Sequence, residues 1–173
     1  MQQTHFALFG LPERQLLELA PLEQAYRAVQ AQVHPDRHAL ATDAEKRRAL
    51  EWATQANQAY QTLKHPLSRA IYLLSLRGVD PELESNTAMP RDFLMQQMEW
   101  REQLEDAARL NDTAALEVLS QTLRQTRRDL QTALVNWLDV QQDAVAAAGV
   151  VRKLRFVEKL DEEVEAALER VLG

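Results

Sequence analysis

The residues of this chain with the clearest chemical reach stand together: His34, Pro35, Asp36 and, two positions on, His38. Two imidazoles and a carboxylate this close could ligate a metal or offer polar groups to a partner. The metal reading is short of ligands. Zinc usually takes four, this run supplies three, Pro35 restricts the loop's geometry, and neither His5 nor His65 has a spacing that completes the set. No activated nucleophile, phosphate loop or paired-acid site is legible elsewhere, so the tripeptide reads as a recognition element and the chain as a non-enzyme. The plainer alternative is that His34-Pro35-Asp36 only terminates a helix, as proline commonly does.

The flanks must position these residues. Upstream, Leu22, Ala25, Tyr26, Val29 and Val33 recur at offsets of three, four, seven and eleven, one apolar stripe of a helix opened by Pro21. Downstream, Thr42-x-x-Glu45 is a capping box, and Leu50, Ala53, Asn57, Tyr60 and Leu63 continue a second helical face. The two arms form an antiparallel hairpin with the tripeptide in its loop, where a polar motif is exposed on a rigid scaffold. Proline fixes its own backbone and disfavours helical geometry at His34, which leaves the imidazole and the Asp36 carboxylate available.

Ala, Leu, Gln, Glu and Arg fill the segments between the few Gly and Pro residues, so helix propensity agrees with periodicity and the fold class is all-α. Gly78 and Pro90 read as a helix stop and a helix start. They bound a linker over 78–90, between a first unit at 1–77 and a second at 91–173. The second unit divides into helical segments at 91–110, 113–143 and 150–171, separated at Asn111-Asp112 and near Gly149, which suggests a three-helix bundle. Leu116, Leu119, Leu123, Leu130, Leu134 and Leu138 read as its core.

Charge separates the halves more sharply than the net of -6 suggests. Residues 1–77 carry nine Lys/Arg and seven Asp/Glu, whereas 78–173 carry eleven and nineteen. An acidic back half argues against nucleic acid and allows a basic protein partner. With no Cys the chain forms no disulfide, thiolate metal site or catalytic thiol, which fits a reducing compartment. No basic-then-apolar leader and no membrane-length apolar run is legible, so a soluble cytoplasmic protein is expected.

On the first segment of the back half, Leu94, Met95, Met98, Glu99, Glu102 and Asp106 fall at helical steps and trace a stripe both apolar and acidic. Exposed, it would suit a mixed interface, with Met and Leu supplying burial and the carboxylates selecting a basic partner. Phe156, on the last segment, could complete the patch. Apolar stripes are more often core, so the residues alone favour placing Leu94, Met98 and Phe156 in the bundle core with the acids on a solvated face.

With its loop motif and with Asn57-x-Ala59-Tyr60-x-x-Leu63-x-x-Pro66-x-x-Arg69-Ala70-x-Tyr72, the front half resembles a J-domain. Leu73-Leu74-Ser75-Leu76-x-Gly78, Phe93-Leu94-Met95 and Arg152-Lys153-Leu154-Arg155-Phe156 extend the resemblance to HscB-type iron-sulfur co-chaperones over nearly the whole chain. It implies a J-domain hairpin followed by a C-terminal three-helix domain. It further implies that His34, Pro35 and Asp36, with Arg27 and Arg37, engage a dedicated 70-kDa heat-shock-type chaperone (HscA-type) and stimulate its ATP hydrolysis. Leu94, Met95, Met98, Glu99, Glu102, Asp106 and Phe156 would bind an iron-sulfur scaffold protein (IscU-type). A monomer without cofactor or metal is expected, and the direct start of the chain is closer to the short bacterial form than to relatives with a cysteine-rich extension. Four departures stand out: uncharged residues between Arg27 and His34, Val33 where tyrosine is common, Gln96 and Gln97 on a helix that is more acidic in some relatives, and Asp106 where a glutamate is expected.

Overall fold

A computed structural model of the chain describes residues 3–84 and 89–173. Residues 85–88 of the expected linker lie outside it, as does the His38 side chain. Every described element is helical, so the all-α expectation holds. The chain divides into two compact units, Met1–Leu73 and Leu74–Gly173.

The first unit holds α1 (His5–Leu8), α2 (Leu19–Gln32), a 3₁₀ turn (Pro35–His38), α3 (Asp43–Lys64) and most of α4 (Pro66–Leu76). α2 and α3 are the arms of the hairpin, and α1 packs on α3. α2 begins two residues before Pro21, which occupies its first turn, where a missing N–H costs nothing. α3 opens on the expected capping box: Thr42 Oγ1 accepts from Glu45 N–H at 3.2 Å, and Glu45 Oε2 accepts from Thr42 N–H at 3.1 Å. Leu22 and Leu63 are fully buried between the arms, and Tyr26 stacks on Tyr60 with ring centroids 4.2 Å apart. The Tyr26 hydroxyl donates to Asn57 Oδ1, adding a polar tie to the stack. Gln15 Nε2 donates to the Pro66 carbonyl at 2.9 Å, and Arg69 Nη1 to the Leu63 carbonyl at 3.0 Å, which holds the α3–α4 turn.

In the second unit α4 ends where Gly78 was expected to stop it. Gly78 adopts φ +72, its N–H donates to the Ser75 carbonyl at 3.1 Å and the Val79 N–H to that of Leu74 at 2.9 Å. Asn111 ends α5 (Arg91–Arg109) by the same left-handed device, and Asp112 then caps α6 (Thr113–Val135) by accepting from Ala115 N–H at 3.0 Å. α5, α6 and α7 (Ala144–Leu172) form the bundle, with Trp100, Leu104, Leu116, Leu119, Leu123, Val157, Leu160 and Val164 in its core. A polar seam joins α6 to α7: Ser120 Oγ donates to Asp161 Oδ1 at 3.2 Å, and Arg124 Nη2 reaches Glu165 Oε1 at 2.6 Å.

The expected break near Gly149 is corrected. α7 already runs from Ala144, Gly149 lies inside it, and the chain turns earlier, at Gln142 with φ +53 and Asp143, whose side chain accepts from Ala146 N–H at 3.0 Å. α6 loosens before that turn into one wide π-type turn over Asn136–Val140, where Gln141 N–H donates to the Asn136 carbonyl at 2.8 Å. Asp143 supplies a cap that Gly149 lacks, and the burial of Ala147, Ala148, Val150 and Val151 carries the glycine through the helix.

Candidate functional site

Chemistry-bearing side chains gather at two places, one in each unit. In the first, His34 is the N-cap of the 3₁₀ turn that Pro35 opens; its Nδ1 accepts the Asp36 N–H at 3.3 Å. The imidazole and the Asp36 carboxylate are solvent-facing, with side chains 60% and 92% exposed, and Nδ1 lies 3.5 Å from Oδ2. Both polar groups are thus presented to solvent at the hairpin tip. Both side chains are largely open to water, whereas general acid-base work in a cleft relies on excluding it. Among the described residues no group of three or more His, Cys, Asp or Glu could hold a metal ion.

The two cations assigned to this site differ. Arg27 is engaged by Glu23 across one helical turn at 3.5 Å, whereas Arg37 sits in the 3₁₀ turn itself, exposed beside Asp36. Between the arms, the core closed at Leu22 and Leu63 opens toward the tip. There Val29, Val33, His34, Pro35, Leu50 and Ala53 line a groove of about 670 Å³ that also meets Lys46. Leu50, placed on the inner face by periodicity, stands at the mouth of this groove and is largely exposed. Periodicity alone misses this feature, because it marks a face as apolar without saying whether the opposite arm reaches it.

In the second unit α5 resolves the two readings of its stripes. Phe93, Trp100, Leu104 and Ala107 face the bundle, and Trp100 is 5% exposed. Met98, two residues from Trp100, lies about 160° away around the helix axis, so it must point outward. It is 72% exposed, Met95 is 59% exposed, and Glu99, Glu102 and Asp106 share the solvent side. Leu94 is half-buried at the border of the two faces. Phe156 stands apart from the exposed row. Its ring packs edge-on against Phe93 at 6.0 Å and is roofed by the Arg101 guanidinium at 5.6 Å, which is itself held by Glu163 at 2.7 Å. Phe156 thus joins α7 to the same stretch of α5 that carries the methionines, with only part of its surface free.

The sequence reading also missed the floor of this face. Asp106 borders a groove of about 520 Å³ with Leu110, Ala114, Ala115 and Val118, and Leu110 and Val118 are exposed. The signal was available in the i+4 step from Asp106 to Leu110, which continues the α5 stripe past the helix end. Lys153 and Arg155 form no basic patch: Lys153 covers the Phe93 ring at 5.6 Å and Arg155 pairs with Glu84 at 3.1 Å.

The same layout recurs in known proteins. The chain is 52% identical to the co-chaperone protein HscB homolog of Ralstonia nicotianae over 168 residues, spanning 97% of this chain and 96% of that one. The chain belongs to the HscB co-chaperone family. A family model described as the HSCB C-terminal oligomerisation domain matches residues 89–165, which contain the whole exposed face of α5. Among solved structures, chaperone HscB from Vibrio cholerae is similar at 39% identity and a TM-score of 0.85, covering 98% of this chain and 99% of that one. Human co-chaperone HscB is similar at 28% identity and a TM-score of 0.88, covering 95% and 82%. The two units are accordingly an HscB J-domain and C-terminal helical domain. No described helix is long and apolar enough to cross a membrane.

Proposed function

We propose that this HscB-family chain acts in the cytoplasm as a non-enzymatic adaptor for iron-sulfur cluster assembly. Its α5 face binds an iron-sulfur scaffold protein, and its hairpin tip engages a dedicated 70-kDa heat-shock-type chaperone and stimulates that partner's ATPase. The observation that carries the reading is the presentation of His34 and Asp36 at the hairpin tip, exposed and pre-set by Pro35.

Each side chain has a definable part. Pro35 holds the turn, so little backbone entropy is lost on docking. His34 Nε2 and the Asp36 carboxylate face outward as polar contacts for the chaperone, with Arg37 beside them. On α5, Met95, Met98 and Leu94 supply apolar burial, Phe156 adds a rigid edge, and Glu99, Glu102 and Asp106 select a basic rim. No proton or phosphoryl group passes through this chain; hydrolysis occurs on the partner. Stimulation is linkage: the loop and the delivered client both favour the hydrolysis-competent state, and simultaneous attachment raises the local client concentration.

Steady-state ATP hydrolysis by the cognate chaperone tests this, with the chain and the scaffold added singly and together. Synergy is expected, and H34Q removes it while scaffold binding persists. Stimulation indifferent to scaffold would reassign the client; no stimulation at all would leave a helical adaptor. The description of the matched family model favours one second reading, self-association through the α5 face in place of a monomer. Light scattering across concentration separates them, since only self-association would be displaced by scaffold.

A further inference from the structure

The full chain has no cysteine and four methionines, and three of these, Met89, Met95 and Met98, fall within ten residues. Met89 is half-buried, whereas Met95 and Met98 are 59% and 72% exposed. Among the described residues the exposed sulfur is therefore concentrated on one face of α5, and the chain has no thiol to compete for oxidant. We infer that Met95 and Met98 form an oxidation site at which conversion to the sulfoxide releases the client. The inference rests on the scaffold-binding reading of α5.

The chemistry closes with one co-reactant, a hydroperoxide such as hydrogen peroxide. A thioether lone pair attacks one peroxide oxygen, the O–O bond breaks and an S–O bond forms. The other oxygen leaves as hydroxide and takes the proton from the sulfur-bound hydroxyl, giving sulfoxide and water. Sulfur loses two electrons and peroxide gains them. The surroundings select the oxidant: with Glu99 and Glu102 on the same face, a neutral peroxide approaches without the repulsion that an anionic oxidant meets. The product then defeats the interface. A flexible apolar anchor becomes a polar, chiral one, and its S–O dipole, buried against a partner that offers no donor, must be desolvated without compensation. Reductases specific to each sulfoxide epimer reverse the change.

The effect is confined to one unit. The tripeptide lies in the first unit and contains no sulfur, so scaffold-independent stimulation of the chaperone should survive oxidation while the scaffold-dependent increment is lost.

The test uses the full chain treated with graded hydrogen peroxide. Peptide mass spectrometry should place one oxygen on each of Met95 and Met98 before Met89 reacts. Titration against the scaffold should show affinity weakened about tenfold or more, a loss of the size expected for an interface anchor, and the two epimer-specific reductases together should restore it. Circular dichroism should show the helical signal unchanged. In M95L/M98L the ratio of affinities before and after peroxide should fall to about one, whatever the variant's own affinity. Oxidation of both sulfurs with unchanged affinity would overturn the inference, as would a response in M95L/M98L equal to that of the parent, or preferential oxidation of Met89. Absence of scaffold binding by the untreated chain would instead sink the reading beneath it, and the switch with it.

Discussion

Replacing Met98 by alanine should separate binding from folding, and its size follows from burial. Fully burying a methionine side chain contributes about 1.5–3 kcal/mol relative to leaving it in water. Met98 is 72% exposed, so the fold already uses roughly a quarter of that and a partner can gain the rest. M98A should therefore cost the second unit under about 1 kcal/mol and lower its melting temperature by no more than about 5 °C. Against the scaffold it should cost about 1–2 kcal/mol, a Kd raised about 5- to 30-fold. Trp100, two residues away and 5% exposed, supplies the control. W100A opens a core cavity worth about 3–5 kcal/mol and should lower the melting temperature by more than about 10 °C. Calorimetric titration with scaffold and thermal unfolding of the same samples decide it. A Kd unchanged in M98A, or a melting temperature falling as far as in W100A, would refute the assignment of opposite faces of α5 to opposite tasks.

Three further outcomes follow from local chemistry. Burial lowers the pKa of His5, which stacks on Tyr72 at 4.3 Å, below its ordinary 6.5. The unfolded chain then binds the proton more tightly, so this contribution is present in full above pH 6.5 and is lost as pH falls; H5Q should flatten that slope in urea unfolding of the first unit. Glu158 is raised above its ordinary 4.5 by burial, opposed by the Arg127 charge and reinforced by Glu162. It costs stability increasingly as pH rises from 4.5, so E158Q should stabilise the second unit at neutral pH and lose its advantage near pH 4, read as a melting-temperature difference against pH. T42A removes the hydroxyl of the capping box and should destabilise the first unit by about 1 kcal/mol, with faster amide exchange confined to the start of α3.

What was legible in the sequence was local. Thr42-x-x-Glu45, Gly78 and His34-Pro35-Asp36 act through bonds that close within a few residues, so residue type and spacing already determine them. Gly149 misled for the opposite reason. A glycine costs a helix about 1 kcal/mol against alanine, which marks a break only where nothing compensates; here Val150 and Val151, directly after it, are buried and the helix runs on. α5 was ambiguous because it carries two apolar rows, and a period identifies rows without saying which one meets a neighbour. Bulk settles it: the wide rings of Phe93 and Trp100 meet edge to face at 6.1 Å toward the core and leave the slender Met95 and Met98 outside. The open groove beside the tripeptide was illegible, since it depends on where α2 and α3 cease to touch.

The charge arrangement at the tip bears on why the proposed activity needs two sites. A J-domain that docks by electrostatics alone would want several free cations on α2. This α2 offers Arg27, already engaged by Glu23, while Gln30, Ala31, Gln32 and Val33 carry no charge. An exposed pair that is partly self-neutralised adds little long-range attraction, and the balance of nine cations against seven acids over residues 1–77 adds little more. Contact at the tip must then rest on short-range fit, with weak affinity for the chaperone when the chain arrives alone. A client held on α5 changes the arithmetic without any new contact at the tip: if the chaperone also binds the scaffold, the second attachment becomes intramolecular and occurs at the effective concentration set by the chain. On this account the poverty of charge on α2 enforces specificity, because a chaperone that does not recognise the scaffold is never held long enough for His34 and Asp36 to act.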